Sequence, residues 1–536
     1  MLQRTIVYLS NHDRPFYILI GLLLLPALLI NLGLQSCIDD ETIRGLVALE
    51  MIYSGDYITP TVAGELYFNK PPAYNWLIVL FSKISGNTDE LTLRLVVIFS
   101  LLFYSVSIWF FTRRHLGNRN AVILALLFIT CGRILFYDSY YGLIDIAYSA
   151  LVYTSFMSIW YFLNKQKYIL LFLVSYCLAA ITFLMKGLPS IYYQGITLIV
   201  AFILAKKFRK IFSWQHLAGI ILFCGILGAY YYAYLLKNPG NLDNIFRILI
   251  SESTQKSALG HEITRTIKHM VTFPFVFIYH FLPWTIMAIY FIRRDIQKLI
   301  HNRFIQFNLY VFFFNILIYW FSPDTFARYL LVHVPLIYTV ILYLHNIHED
   351  EKTVHFRIIN IIFLLFALII LVTPVIYPIH PLTRGEQWEY FKAGMLFAGL
   401  VILLLLLFKL EKQRLLILVA ILLVSRIGFN WFVMPSRERT DYRAICRDEA
   451  IAVGKGTKGR DLYLVWGTPS VPHSLYYISR EREAQLTWTH DISDPDALYV
   501  IHEASFEGPE YETLYEFHLK DYQILLQVVQ FKHSKK

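Results

Sequence analysis

From residue 15 onwards the chain alternates long apolar runs with short polar breaks. Thirteen runs are long enough to cross the roughly 30 Å of hydrocarbon in a bilayer. They lie at 15–34, 92–112, 120–137, 141–163, 168–185, 188–205, 215–236, 271–292, 304–322, 329–345, 358–377, 391–408 and 415–434. Two breaks are much longer than a turn. Residues 35–91 hold a helical stretch at 41–54, a Gly55-Asp56 break, and a second apolar stretch opened by Pro71-Pro72. Its proline start and the polar Asn75, Ser82 and Lys83 predict an interfacial helix through Ile84 rather than a span. Residues 237–270 are polar and close with a helix predicted over 262–270. Beyond 435 the pattern turns soluble. Helices are expected near 441–453 and 470–479, strands at 461–467, 485–489 and 497–502, then one more helix and strand.

Composition sharpens this picture. Hydrophobic residues make up 57% of the 536 positions and charged residues 16%, against about 25% charge in ordinary globular chains. Disorder, fibrous repeats and a disulfide scaffold are excluded. Of the 86 charged side chains, 29 fall in residues 436–536. The expected fold class is therefore an α-helical polytopic membrane unit over 1–435, followed by a small α/β domain over 436–536.

The net charge of +10 would suggest nucleic acid in a soluble protein. Here the basic residues cluster between apolar runs: Arg113, Arg114 and Arg119; Lys165 and Lys167; Lys206, Lys207, Arg209 and Lys210; Arg293, Arg294, Lys298 and Arg303; Lys409, Lys412 and Arg414. Lys and Arg resist translocation, so these breaks should be cytoplasmic. That phase puts the N-terminus inside and makes loops 35–91, 237–270 and the tail external. No basic stripe lies on a soluble face, so nucleic acid is not an expected partner. Leu34-Gln35-Ser36-Cys37 resembles a lipoprotein cleavage box, but Gln is poor there and the run is long, so the first helix is expected to be retained. Of five cysteines, Cys131, Cys177 and Cys224 fall in spans; Cys37 and Cys446 share the external side, where pairing is possible.

On this topology several ionisable residues converge on the external face. Asp39, Asp40 and Glu41 follow the first span, and Asn69-Lys70-Pro71-Pro72 opens the interfacial helix. Asp138 and Asp145 flank the loop between spans three and four. Lys186 separates spans five and six, and Arg328-Tyr329 opens span ten. Charges beside a span are costly and suggest function. Acids beside cations suit a reaction that releases a phosphate, and they also suit a transporter's ion path. Simpler readings stand beside these. Asp40 can be the N-cap of helix 41–54, Lys70 and Lys186 can be interfacial lysines, and Arg328 can be an anchor.

The motifs favour one class. Asp40-Glu41 before Met51, then Ser54-Gly55-Asp56-Tyr57-Ile58-Thr59-Pro60 and Tyr67-Phe68-Asn69-Lys70-Pro71-Pro72, resembles the first external loop of bacterial GT-C glycosyltransferases. The branch is the one containing the aminoarabinose transferase ArnT and the protein O-mannosyltransferases. Gly142-Leu143-Ile144-Asp145, Met185-Lys186-Gly187, Leu282-Pro283-Trp284 and Arg328-Tyr329 with Pro335 are weaker echoes. The resemblance covers about residues 35–340.

It implies transfer of a sugar from polyprenyl phosphate to an envelope lipid, glycan or protein at the outer face of the bacterial inner membrane, without a nucleotide, and no cofactor is expected for this chain. By the same resemblance Asp40 is the leading catalytic carboxylate, with Glu41 beside it and Asp145 as a second external acid. Lys70 corresponds to the ligand of the carrier phosphate, with Tyr329, Arg328 and Lys186 on the phosphate side. Lys256, in Glu252-Ser253-Thr254-Gln255-Lys256, stands where the family often has a phosphate-binding arginine. Two departures are informative. The family's Glu before the lysine is Asn69 here, and its His is Ser253. Both are associated with a bound metal in the aminoarabinose branch, so no metal site is expected. The arginine that usually follows the Asp-Glu pair is displaced to Arg44, with Ile43 in its place, which separates this chain from aminoarabinose and lipid A specificity.

Overall fold

A computed structural model of the protein describes residues 2–241, 263–293, 301–519 and 524–532, with positions 243, 244, 247 and 296 between them. Each of the thirteen apolar runs contains helix. By length and composition, seven helical segments among the described residues are long and apolar enough to cross a membrane: Glu90–Leu116, Asp145–Asn164, Tyr168–Lys186, Trp214–Lys237, Val354–Ile376, Glu389–Lys409 and Glu411–Thr440. Arg14–Leu29, Asn118–Ile129 and Pro189–Leu204 are shorter apolar helices.

Three runs are broken where the sequence predicted continuity. The run 120–137 stops helically at Ile129 and re-forms as a wide turn at Ile134–Asp138. The Gly132 N–H donates to the Leu282 carbonyl at 2.6 Å. A Cβ on residue 132 would stand 3.1 Å from that oxygen, so the close approach favours glycine. The run 271–292 becomes a helix at Ile263–His280, which also absorbs most of the separate helix expected over 262–270. A tighter segment, Trp284–Ile292, follows Pro283, which has no N–H to continue the ladder. The run 329–345 opens as a short turn, Ala327–Leu330, before Val334–Asp350 begins with Pro335 near its start.

The interfacial helix is present as Ala73–Ser85, and the first-loop helix as Asp39–Ser54. Between them Thr61–Val62 (β1) and Glu65–Leu66 (β2) form a small hairpin. The C-terminal region carries Leu462–Val465 (β3), Thr487–Thr489 (β4), Leu498–Ile501 (β5), Tyr511–His518 (β6) and Leu525–Phe531 (β7). Their order is β4-β3-β5-β7-β6, with the first three parallel and β7 and β6 antiparallel. The helix expected after residue 502 is instead β6. Its aromatic and Thr residues suit a pleated strand, and it pairs with β7 along most of its length. Alternation divides the sheet: Leu462, Leu464, Leu498 and Val500 join the core that runs into the membrane helices, while Tyr499, Ile501 and Val529 form a separate outer cluster.

The C-terminal sheet region is bolted to the first loop by helix Pro472–Arg482. The Cys37 N–H donates to the Tyr477 hydroxyl at 2.9 Å, and that hydroxyl donates to Glu90 at 3.0 Å. Arg480 pairs with Glu90 at 3.0 Å, and Tyr476 donates to the Thr88 carbonyl. Gln485 donates to Glu50 at 2.9 Å. A Cβ on Gly45 would lie 2.8 Å from the Tyr476 ring, so the two helices touch there. Cys37 and Cys446 are both buried thiols and form no disulfide.

Candidate active site

Helix Asp39–Ser54 starts after Ile38, which occupies the N-cap position in extended backbone. Asp40 therefore sits inside the first turn and is not the cap. Its side chain is 51% exposed and accepts from Arg328 Nη2 at 2.5 Å. An acid in the first turn also meets the positive end of the helix dipole.

Arg328 comes from the Ala327–Leu330 turn, and its Nε stands 3.5 Å from Asp145 Oδ2, an ion-pair distance without a hydrogen bond. Asp145 opens helix Asp145–Asn164 and is buried. Its other oxygen pairs with Lys186, the last residue of helix Tyr168–Lys186. The Lys186 ammonium also lies 4.0 Å from the centre of the Tyr329 ring and 5.2 Å from that of Tyr148. Two acids and two cations from four separate elements thus form one network, with Asp40 on its open side. The neighbouring Asp138 pairs with Arg133 at 3.0 Å. Burial pushes its carboxyl up to about 6 although Arg133 works against that shift.

Glu41 has a different setting. It is fully buried and pairs with the equally buried Arg94, whose Nε donates at 2.8 Å. The remaining contacts of its carboxylate are backbone N–H groups: Gly142 at 2.8 Å and Ile38 at 3.1 Å. The close approach favours glycine at 142, because a Cβ would come 3.0 Å from Glu41 Oε1. Tyr74 then donates to the carbonyls of Gly142 and Leu143 at 3.1 and 3.2 Å. Glu41 and Tyr74 together fix the loop that delivers Asp145.

Lys70 is half-buried in a shallow depression with Pro60, Tyr67, Phe68, Pro71, Tyr230, Tyr231 and Tyr234. That lining contains none of Asp40, Asp145, Lys186 or Arg328. Helix Trp214–Lys237 is held against the same loop: Lys237 pairs with Asp56 at 2.7 Å, and Tyr230 donates to the Ile58 carbonyl. Lys256 and Ser253 lie outside the described residues. Asn69 is exposed, and among the described residues no group of three or more His, Cys, Asp or Glu side chains is placed to hold a metal ion.

An apolar groove of about 480 Å³ lies beside the charged network. Trp76, Leu80, Phe99, Phe103, Ile181 and Met185 line it, with Ala147 two residues beyond Asp145. The sequence reading missed Arg94, Arg133 and Tyr74. Arg94 carried a visible signal, a lone charge within an apolar run.

The helical architecture is that of a polytopic membrane protein with the GT-C type of fold. The particular likeness is to ArnT. The chain superposes on the crystal structure of ArnT from Cupriavidus metallidurans bound to undecaprenyl phosphate with a TM-score of 0.70 and 16% identity, covering 97% of this chain and 98% of that one. Against the apo state of the same protein the TM-score is 0.67. At such identity the likeness is one of fold. Residues 69–232 match the family described as dolichyl-phosphate-mannose-protein mannosyltransferase. An uncharacterized protein of Aquifex aeolicus is 24% identical over 240 residues, 44% of this chain and 47% of that protein. The undecaprenyl phosphate-alpha-4-amino-4-deoxy-L-arabinose arabinosyl transferase 1 of Pseudomonas fluorescens is 30% identical over 172 residues, 31% and 29% of the two chains. The chain thus spans less than half the length of these curated relatives in each match.

Proposed function

We propose that the protein is an integral-membrane glycosyltransferase of the bacterial inner membrane. It moves a sugar from a polyprenyl-phosphate donor to an envelope lipid or glycan on the periplasmic side. The observation that carries this reading is the exposed Asp40 carboxylate held against Arg328 and the Asp145–Lys186 pair, next to an apolar groove suited to a lipid chain. The likeness to ArnT in fold and to the arabinosyl transferase in part of the sequence supports it.

The chemistry assigns each group a task. The acceptor hydroxyl oxygen attacks the anomeric carbon, its proton passes to Asp40, and the bond from that carbon to the phosphate oxygen breaks. The electron pair leaves with the phosphate. Lys70 holds that phosphate, and Arg328, Lys186 and Tyr329 stabilise its growing charge; Lys256 supplies a further cation. Asp145 holds Lys186 and Arg328 in position. Glu41 is a positioning residue rather than a catalytic one, because burial and its contacts with Arg94 and two backbone N–H groups keep it away from the acceptor.

A second reading, transfer to a protein hydroxyl, is favoured by the family match over residues 69–232. One experiment separates the two. Lipid A, glycans and envelope proteins from a deletion strain, complemented with wild type or with Asp40→Asn, are compared by mass spectrometry. A sugar lost from one fraction and restored only by wild type is the expected result. No difference in any fraction would remove the proposal.

A further inference from the structure

Arg44 is 4% exposed, yet no ion pair among the described residues includes it. Its Nη2 donates to the Tyr67 hydroxyl at 2.5 Å, and its guanidinium lies 5.2 Å from the centre of that ring. Its Nη1 is buried with no hydrogen-bond partner. A desolvated guanidinium whose hydrogen-bonded side-chain partner among the described residues is a phenol is an expensive arrangement. Every other arginine discussed in this region, Arg94, Arg133 and Arg328, has a carboxylate.

Arg44 is tied to both parts of the candidate site. It follows Asp40 by four residues on one helix, so the two side chains share a face about 5–6 Å apart. Tyr67, which holds Arg44, lines the same depression as Lys70. Tyr74, beside the Asp145 loop, lies within electrostatic reach of Glu41, Asp145 and Arg44. Arg44 is thus a buried cation linked by helix spacing to the exposed acid and through Tyr67 to the depression that holds Lys70.

We propose that Arg44 is a donor-binding residue whose Nη1 takes an oxyanion of the polyprenyl-linked sugar. The oxyanion is either the carrier phosphate or a carboxylate on the sugar itself. This rests on the glycosyltransferase reading above. Guanidinium suits both anions, since its planar N–H groups match phosphate and carboxylate oxygens. A cationic amino sugar is disfavoured within reach of the same group, because like charges repel strongly where water is excluded.

The test uses the full-length protein in lipid nanodiscs. Three probes are titrated by native mass spectrometry: undecaprenyl phosphate alone, the same carrier bearing a neutral hexose, and the carrier bearing a hexuronic acid. Arg44→Met should bind at least one probe about tenfold or more weakly, the loss expected for a hydrogen bond to a charged group. Weakening of all three identifies the phosphate as the anion, and weakening confined to the uronic acid identifies the sugar carboxylate. Arg44→Lys should recover part of the loss. Tyr67→Phe keeps the charge but frees the guanidinium, and should cost less than Arg44→Met. It also serves as the deciding variant if Arg44→Met does not fold. Folding is checked by thermal unfolding in the same nanodiscs. A folded Arg44→Met that binds all three probes like wild type overturns the inference and leaves the glycosyltransferase reading intact. So does a Tyr67→Phe without effect where it is the deciding variant. Wild type that binds none of the probes overturns both.

Discussion

Asp40 and Arg328 lie 288 positions apart in the chain and meet at 2.5 Å. The same arginine stands within ion-pair distance of Asp145, so one guanidinium links an exposed acid to a buried one. The buried acid is neutralised by Lys186 and Arg328 together. The exposed acid is half open to solvent.

Asp40→Asn keeps the size of the side chain and gives up its charge. The variant should fold and bind undecaprenyl phosphate like wild type, while turnover falls by roughly a hundredfold or more, the usual contribution of a general base. Binding and turnover are measured separately in nanodiscs. Near-normal turnover would remove Asp40 from the mechanism.

Lys70→Ala should weaken donor use by about tenfold to a hundredfold, the loss of a charge-assisted hydrogen bond of about 1.5–3 kcal/mol. Lys70→Arg should restore part of it because the charge remains. If Lys70 is only an interfacial lysine, both variants will use the donor as wild type does.

Glu41→Gln tests structure rather than chemistry. It leaves the Arg94 guanidinium buried without a carboxylate, and breaking a buried pair costs about 3–5 kcal/mol. Thermal unfolding should shift strongly downwards. The double variant with Arg94→Met should regain much of the loss, since no charge is then stranded. An unshifted single variant would contradict the buried pair.

These residues show what a sequence reveals and what it conceals. Asp40, Asp145, Lys186 and Arg328 stood out because each lies at or near an end of an apolar run, where a charge is conspicuous; Tyr329 stood out only through the family resemblance. Their mutual pairing was not, since it depends on four helix ends converging. Glu41 looked equivalent to Asp40 because they are adjacent. A rotation of about 100° per residue sends one outward and the other towards Arg94. The breaks at Gly132 and Pro283 reflect a long-range contact and a missing donor, and hydropathy reports neither. The strand Tyr511–His518 was legible in principle through its Tyr, Thr and Phe residues.

Asp138 gives a pH signature. Burial raises its carboxyl to about 6 from an ordinary value near 3.8. Between those values the folded chain keeps a proton that the unfolded chain releases, so this group's contribution to stability is largest in acid and declines as pH rises through the window. The unfolding temperature of Asp138→Asn relative to wild type should therefore increase from pH 4 to pH 6 and level off above. A difference that is constant with pH would show that Asp138 titrates normally.

Orientation is tested by fusion. A reporter after Lys536 should behave as periplasmic and one after Lys210 as cytoplasmic, following the phase of the basic clusters. A cytoplasmic signal after Lys536 would place the whole charged network on the wrong side for an envelope acceptor.

The contact between the Pro472–Arg482 helix and the first loop also sets an order of events during synthesis. Tyr477 follows Cys37 by 440 residues and Glu90 by 387. At about 5–20 residues per second, about 20–90 s pass between the emergence of the two sides of that contact. Throughout that interval the loop bearing Asp40 lacks the surface on which it finally rests. A ribosome that stops anywhere before codon 472 leaves a membrane-inserted chain whose first loop lacks the contacts made by Tyr476, Tyr477 and Arg480. Asp40 is translated before every other member of the network, and its loop gains the contact with Pro472–Arg482 only after all of them have been made.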